Sequence, residues 1–274
     1  MNPDENTAAR QPAAPFYREA GSGEAVVCLH SNASSSSQWR ALMERLAPRM
    51  RIFAPDLIGA GKGPPWPADR PVTLADEVAL IEPLLAAAGS PLRLVGHSHG
   101  AAIALIAALA HREHVRSIVL YEPTLFAVLE EQAPGHPDAD GIRDAVNAAG
   151  AALDAGDLHG AAQRFIDYWM GAGAWGAMPQ ARRDGIAPSV ANVRGWWHAL
   201  AMEPTPLARF GALDMPVLYL TGSQTTAAAK AVARRLVSVL PNVEQVDLAG
   251  LGHMGPITHP DIVNDVIETF LARH

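Results

Sequence analysis

The stretch RLVGHSHGAAIAL, residues 93–105, decides how the rest of the chain is read. Leu92–Gly96 is a short run almost without polar alternation, the pattern of a strand buried on both faces. His99–His111 is small and apolar, as a helix packed against a sheet must be. Between them, Gly96-His97-Ser98-His99-Gly100 is a G-x-S-x-G pattern at a strand-to-helix turn. The turn is sharp, so the positions two before and two after the serine must lack bulky side chains. The helix start behind Ser98 brings free N–H groups and a positive dipole end to its hydroxyl. In a chain with 23 glycines the bare pattern can arise by chance. Its place between a strand and a helix makes Ser98 a candidate nucleophile.

Similar runs recur on both sides: Ala25–Leu29, Arg51–Pro55, Ser117–Tyr121, Val217–Thr221 and Val243–Leu248. Helical patterns lie between them. Gln38–Ala47 follows a serine run that can cap it, and Leu74–Ala88 starts at Thr73 with Asp76 as its capping-box partner. Ala227–Leu240 and Asp261–Ala272 are amphipathic, the latter with Thr258 as expected cap and Pro260 in its first turn. This alternation predicts an α/β fold with a mostly parallel, doubly wound sheet. From about Leu125 to Pro206 the rhythm breaks into helical segments with Gly and Pro punctuation and no convincing strand. That stretch reads as a helical insertion.

The 274 residues are long enough to bury a large core, and 49% hydrophobic with 18% charged residues excludes a disordered chain or a coiled coil. A net charge of −7 argues against nucleic acid or an anionic membrane as the main partner. Cys28 is the only cysteine, so no intramolecular disulfide and no cysteine-based zinc site can form. The polar opening MNPDENTAARQPAAP does not read as a secretory signal, and apolar runs such as Ala101–Ala110 are too short to span a bilayer. The expectation is a cytoplasmic protein, monomer or homodimer, acting on a small molecule without metal or cofactor.

Taken together, Gly96–Gly100 in its strand–turn–helix setting and the strand order around it resemble the α/β-hydrolase superfamily, over about residues 16–124 and 213–273. The resemblance implies a flexible arm over residues 1–15, a core from 16–124 and 207–274, and a helical cap over 125–206. It also implies the chain order nucleophile, acid, histidine. His253, in VDLAGLGHMGPITHP after the last strand, stands where that family carries its catalytic histidine. A histidine suits the task because its pKa lies near working pH. His259 is the near alternative; at a helix start it reads as a capping or packing residue. His30 reads as a loop brace, and His97 and His99 as neighbours of the turn.

The acid is where this chain departs from its resemblance. The family's usual Gly-x-x-Asp after the strand Val217–Thr221 is here Gly222-Ser223-Gln224-Thr225, with no acid before Glu244. Glu122, in SIVLYEPTLF, follows the strand after the nucleophile strand, and haloalkane dehalogenases of the superfamily carry a glutamate at this place. Glu122 is therefore the expected partner of His253. A glutamate here is structural in other relatives. Asp56, in APDLIGAG, resembles the family's structural turn and is the other deeply placed acid.

CLHSNASSSSQW, residues 28–39, reinforces the dehalogenase likeness in its asparagine and its later serines and tryptophan. Ser31 stands where the family has glycine. The expected oxyanion donors are the N–H groups of Asn32 and His99. Dehalogenase chemistry itself is excluded at Ser98, because an alkyl ether of serine could not be hydrolysed afterwards. In the insertion, Phe165, Tyr168, Trp169, Trp175, Trp196 and Trp197 could line an apolar pocket; of these Trp169, Trp175 and Trp197, with Phe126 before them, are the candidate substrate contacts, while Arg164, Arg182 and Arg183 read as solvated. The implied activity is hydrolysis of carboxylic esters of small to medium apolar compounds by Ser98, His253 and Glu122. C–C bond hydrolysis of a β-diketone or dienoate, lyase or cyclase chemistry, and a non-enzymatic receptor remain alternatives.

Overall fold

A computed structural model describes residues 15–274. The expected arm over 1–15 lies outside the described residues, apart from Pro15. Seven strands form one sheet: β1 (Tyr17–Gly21), β2 (Ala25–Leu29), β3 (Arg51–Pro55), β4 (Leu92–His97), β5 (Val115–Tyr121), β6 (Val217–Gly222) and β7 (Val243–Leu248). Their order is β1-β3-β2-β4-β5-β6-β7. β1 is antiparallel to β3, and every other pairing is parallel. Six of the seven strands match apolar runs in the sequence. β1 has no such signal, because as an edge strand it is only partly covered and carries Arg18 and Glu19 on its exposed positions.

The central strands are buried on both faces, and their side chains alternate between two cores. Ala25, Val27 and Leu29 join Ile118, Leu120 and Tyr219 on one side. Val26 and Cys28 join Val119, Leu218 and Leu220 on the other. This is why the runs read as continuously apolar rather than alternating. The first face is covered by α2 (Leu74–Ala88), α3 (His99–Ala110) and α10 (Ala227–Val237); the second by α1 (Arg40–Leu46) and α12 (Pro260–Leu271).

Local chemistry sets the helix ends. Thr73 and Asp76 form the reciprocal capping box at the start of α2. Ser35 caps a 3-10 turn, Ser36–Trp39, which delays α1 by two residues from its expected start. Thr258 does not cap α12, contrary to expectation. Gly255–Thr258 forms a helical turn of its own, α11, and the Thr258 hydroxyl is drawn back to the Met254 carbonyl. α12 then begins at Pro260, whose missing N–H is no loss at a first helical position.

Between β5 and β6, among the described residues, lie helices and no strand: α4 (Ala127–Glu130), α5 (Asp140–Asp154), α6 (Leu158–Met170), α7 (Ala174–Ala177), α8 (Gln180–Ile186) and α9 (Val193–Ala201). Their apolar faces merge with the core above α3 rather than forming a separate one. This brings α6 and α9 over the carboxyl ends of β4 and β5, where side chains of an open α/β sheet converge.

Candidate active site

Ser98 joins β4 to α3 with φ 58° and ψ −118°, a conformation a non-glycine residue adopts only when its surroundings enforce it. The two glycines show how. A Cβ on Gly96 would lie 2.5 Å from the Ala101 Cα, and one on Gly100 would strike the carbonyls of Leu29 and His30. Both positions must be glycine for β2, β4 and α3 to meet. The Ser98 N–H donates to the Tyr121 carbonyl at 2.9 Å, which ties the turn to β5.

His253 follows β7 by five residues and is almost wholly buried. The Ser98 Oγ–H donates to its Nε2 at 2.9 Å, and its Nδ1–H donates to Glu122 Oε2 at 2.7 Å. The tautomer is set by the carboxylate, which can only accept. Glu122 follows β5 directly, with φ 45°, and is fully buried. A buried carboxylate is tolerated only when its oxygens are bonded. Here Oε1 accepts from the Gly222 N–H at 2.6 Å, and Oε2 accepts from the Thr225 hydroxyl at 2.6 Å. Thr225, where an aspartate was looked for, is thus a donor to the glutamate.

The alternatives lie elsewhere. His259 bonds the Thr258 hydroxyl at an exposed position. Asp56 accepts from the Ser36 and Lys62 N–H groups at 2.6 and 2.8 Å and organises loops. Burial opposes its charge, but these amides and the Ser36 hydroxyl outweigh it and hold its carboxyl below the ordinary range.

The loop after β2 is braced from two sides. His30 Nδ1–H donates to the Ser31 carbonyl at 2.8 Å, and its Nε2 accepts from the Leu57 N–H at 3.1 Å. Burial pushes its pKa down to about 4, so it stays neutral. Ser31 is bonded through its N–H and its hydroxyl to Gln38 Oε1, at 3.1 and 3.0 Å. The Gln38 amide donates to His97 Nδ1 at 3.1 Å, and His97 Nε2–H donates to the His253 carbonyl at 2.8 Å. Burial holds His97 well below the ordinary histidine range. One line of bonds therefore runs from Ser31 through Gln38 and His97 to the backbone of His253. Sequence reasoning missed it. The signal was present in Ser31, whose hydroxyl replaces a glycine hydrogen.

Asn32 lies at the cavity beside Ser98 and His253. His99 is the first residue of α3, and neither its N–H nor that of Asn32 is bonded to a described protein group. The His99 ring turns away, with Nε2 3.4 Å from Glu77 on α2.

Two cavities meet at Ser98. The outer one, about 590 Å³ including the solvent at its mouth, is bounded by Phe165, Ile166, Met170, Met254 and Ile257, with exposed Arg182 at its rim. The other, about 290 Å³ when the open solvent beside it is counted, runs between Phe126, Phe165, Trp196 and Trp197. Trp169 borders both, its indole stacked on the His253 ring with centroids 3.9 Å apart. Phe126 and Trp197 stack on each other at 5.4 Å. Phe126, Trp169 and Trp197 therefore border these cavities, as do Phe165 and Trp196 of the wider aromatic set, while Tyr168 borders neither. Trp175 is the correction. Gly171 and Gly173, both at positive φ, reverse the chain after α6, and α7 packs Trp175 against His159. It is buried there and borders neither cavity.

The sequence matches the alpha/beta hydrolase fold family over residues 24–260. It is 27% identical to the pimeloyl-(acyl-carrier protein) methyl ester esterase of Aeromonas hydrophila, across 92% of this chain and 97% of that one. The lipase LipV of Mycobacterium tuberculosis is 36% identical over 101 residues, 36% of this chain and 37% of the lipase. The solved structure of MenH from S. aureus is similar with a TM-score of 0.76, covering 94% of this chain and 98% of that one. At 17% identity this last likeness speaks for the fold alone.

Proposed function

This chain belongs to the alpha/beta hydrolase fold family, and on that premise we propose that it hydrolyses carboxylic esters of small to medium apolar compounds through a Ser98–His253–Glu122 triad. One observation carries the reading: the unbroken hydrogen-bonded line from the Ser98 hydroxyl through both nitrogens of His253 to Glu122. The long match to a methyl ester esterase supports the ester class.

His253 Nε2 takes the Ser98 proton as Oγ attacks the ester carbonyl. The carbonyl oxygen becomes an oxyanion held by the Asn32 and His99 N–H groups, aided by the dipole of α3. The imidazolium, stabilised by Glu122, then gives its proton to the departing alkoxide, leaving acyl-serine and an alcohol. Water gives a proton to His253 and attacks the acyl group. Collapse returns the proton to Ser98 Oγ and releases the acid. The helices over the sheet serve as a cap that shields this chemistry from bulk water. The receptor alternative drew its support from the missing acid at Thr225, and the Glu122–His253 bond removes that support.

The test is reaction with a fluorophosphonate followed by intact mass, on wild type and Ser98→Ala. One stoichiometric adduct, lost in the variant, supports the reading and opens an ester screen. No adduct on wild type overturns it.

A further inference from the structure

His253 has an aromatic neighbour that the triad does not account for. The Trp169 indole lies over the face of its imidazole, with centroids 3.9 Å apart and planes inclined by 26°. The stack joins α6, which carries Trp169, to the loop after β7, which carries His253. The indole is held from its own helix: Tyr168 and Phe165 meet it at 78° and 75°, with centroids at 4.8 and 6.4 Å. Trp169 is 9% exposed and His253 2%, so little water screens the pair.

Two neutral rings do not favour this arrangement. Aromatic pairs prefer offset or edge-to-face contacts with centroids about 4.5–7 Å apart, because stacked π faces repel. The balance reverses when one ring is a cation, which an indole face attracts more strongly than the face of Tyr or Phe. His253 is the base that takes the Ser98 proton, so it becomes that cation as the reaction proceeds. An interaction that strengthens at that moment raises kcat rather than lowering KM. On its other sides the His253 ring faces Ser98, Glu122 from the end of β5 and His97 from the end of β4. Burial keeps His97 neutral, so no charge opposes the imidazolium from there. Arg182 on α8 is exposed at the rim of the outer cavity.

We infer that Trp169 is a positioning residue for His253, its indole face stabilising the imidazolium that Glu122 stabilises from the ring edge. The inference rests on the esterase reading above and adds a group from the cap to the proton path.

Trp169→Leu and Trp169→Phe test it, with methyl butanoate as the ester. In Trp169→Leu kcat should fall about tenfold to thirtyfold, as expected for a desolvated cation that loses its aromatic face, and KM should stay within about threefold. Trp169→Phe should fall between, because a weaker aromatic face is kept. The indole also favours the charged ring in the free protein. The acid limb of the kcat/KM profile should therefore lie about one pH unit lower in Trp169→Leu than in wild type. A residue that only walls the cavity would raise KM and leave that limb in place. Butylboronic acid gives the comparison without turnover. Ser98 Oγ bonds its boron, the Ser98 proton passes to His253 Nε2, and the adduct holds a tetrahedral boronate beside the imidazolium. Wild type should bind it about tenfold more tightly than Trp169→Leu, with Trp169→Phe between. Should Trp169→Leu not fold, Trp169→Phe alone must show both losses. Equal kcat and equal boronate affinity in wild type and the variants, or an acid limb that does not move, overturns the inference and leaves the esterase reading standing. A wild type that neither cleaves the ester nor binds the boronate overturns both.

Discussion

The Thr225 hydroxyl donates to Glu122 Oε2 at 2.6 Å, the same oxygen that accepts from His253 Nδ1 at 2.7 Å. The position where the resemblance leads one to look for an acid thus supports an acid delivered from another strand. β5 and β6 are adjacent in the sheet, so their carboxyl ends open onto one place and either can present a carboxylate to His253.

This arrangement predicts a rescue. Glu122→Gln should lower kcat for an ester by about 10⁴-fold, as expected when the imidazole loses its orienting carboxylate. Adding Thr225→Asp should recover at least about tenfold, since a carboxylate is restored next to the same nitrogen. Steady-state kinetics on the three proteins checks it. Wild-type turnover by Glu122→Gln would remove Glu122 from the triad.

Ser98→Ala and His253→Ala should each abolish measurable ester turnover, and the double variant should be no worse than either, because the two act as one unit. Ser98→Ala should also relieve the serine's positive φ only slightly, so its melting temperature should stay close to wild type. An additive kinetic loss in the double variant would argue against a shared proton path.

Gln38 joins Ser31 to His97, and removing it strands polar atoms on both. Gln38→Leu should destabilise the fold by about 1–3 kcal/mol, the cost of leaving buried groups unpaired. It should also lower kcat more than it raises KM, because the Asn32 loop and the His253 backbone lose their common anchor. Gln38→Glu, which keeps the acceptor for Ser31 but not the donor to His97, should fall between. Equal kcat in wild type and Gln38→Leu would reduce the network to a structural role.

Acid should destabilise this protein before its carboxylates titrate. His30 has a folded pKa of about 4, lowered by burial, against about 6.5 when unfolded. Above pH 6.5 both states are neutral and nothing is lost. As pH falls from about 6.5 to 4, only the unfolded chain binds the proton, and stability drops by about 3 kcal/mol from this residue. His97, also pushed down by burial, acts in the same direction. The Asp76 carboxyl, held at about 2 chiefly by Arg70, contributes only below the usual aspartate range. Urea midpoints measured from pH 7.5 to 4.5 should fall steadily, and a flat profile would contradict the burial of these imidazoles.

Trp169 and Trp175 should separate cleanly. Trp169→Leu removes the ring stacked on His253 and should lower kcat/KM, while Trp175→Leu should lower only the melting temperature. Matching kinetic losses in both would mean that Trp175 reaches the substrate after all.

Much of this was legible in the amino-acid order. Buried parallel strands are apolar on both faces, so the five inner strands β2 to β6 declared themselves in one dimension, and the glycines around Ser98 marked a turn with no room for side chains. The helix cap at Thr73 and a serine cap before α1 also follow from residues within a few positions of each other, whereas the 3-10 turn that Ser35 caps did not show in the sequence. β1 left no trace because YREAG has no apolar run, with Arg18 and Glu19 at its exposed positions. Thr258 misled because a hydroxyl near a helix start can turn to either of two backbone groups.

Ser98, His253 and Glu122 could be nominated from sequence because each follows a strand in a known order. Whether they meet was decided by the sheet, which brings residues 131 and 155 positions apart within hydrogen-bonding distance. The same holds for Ser31, Gln38 and His97, whose bonds link three separate chain segments, and for Trp175, which a glycine turn carries off the site. Local order determines which backbone conformations a segment can adopt and which face it must bury. Which polar atoms find each other in the interior depends on distances that only the packed chain sets, because a buried hydrogen bond tolerates errors of a few tenths of an ångström and no sequence spacing specifies position that finely.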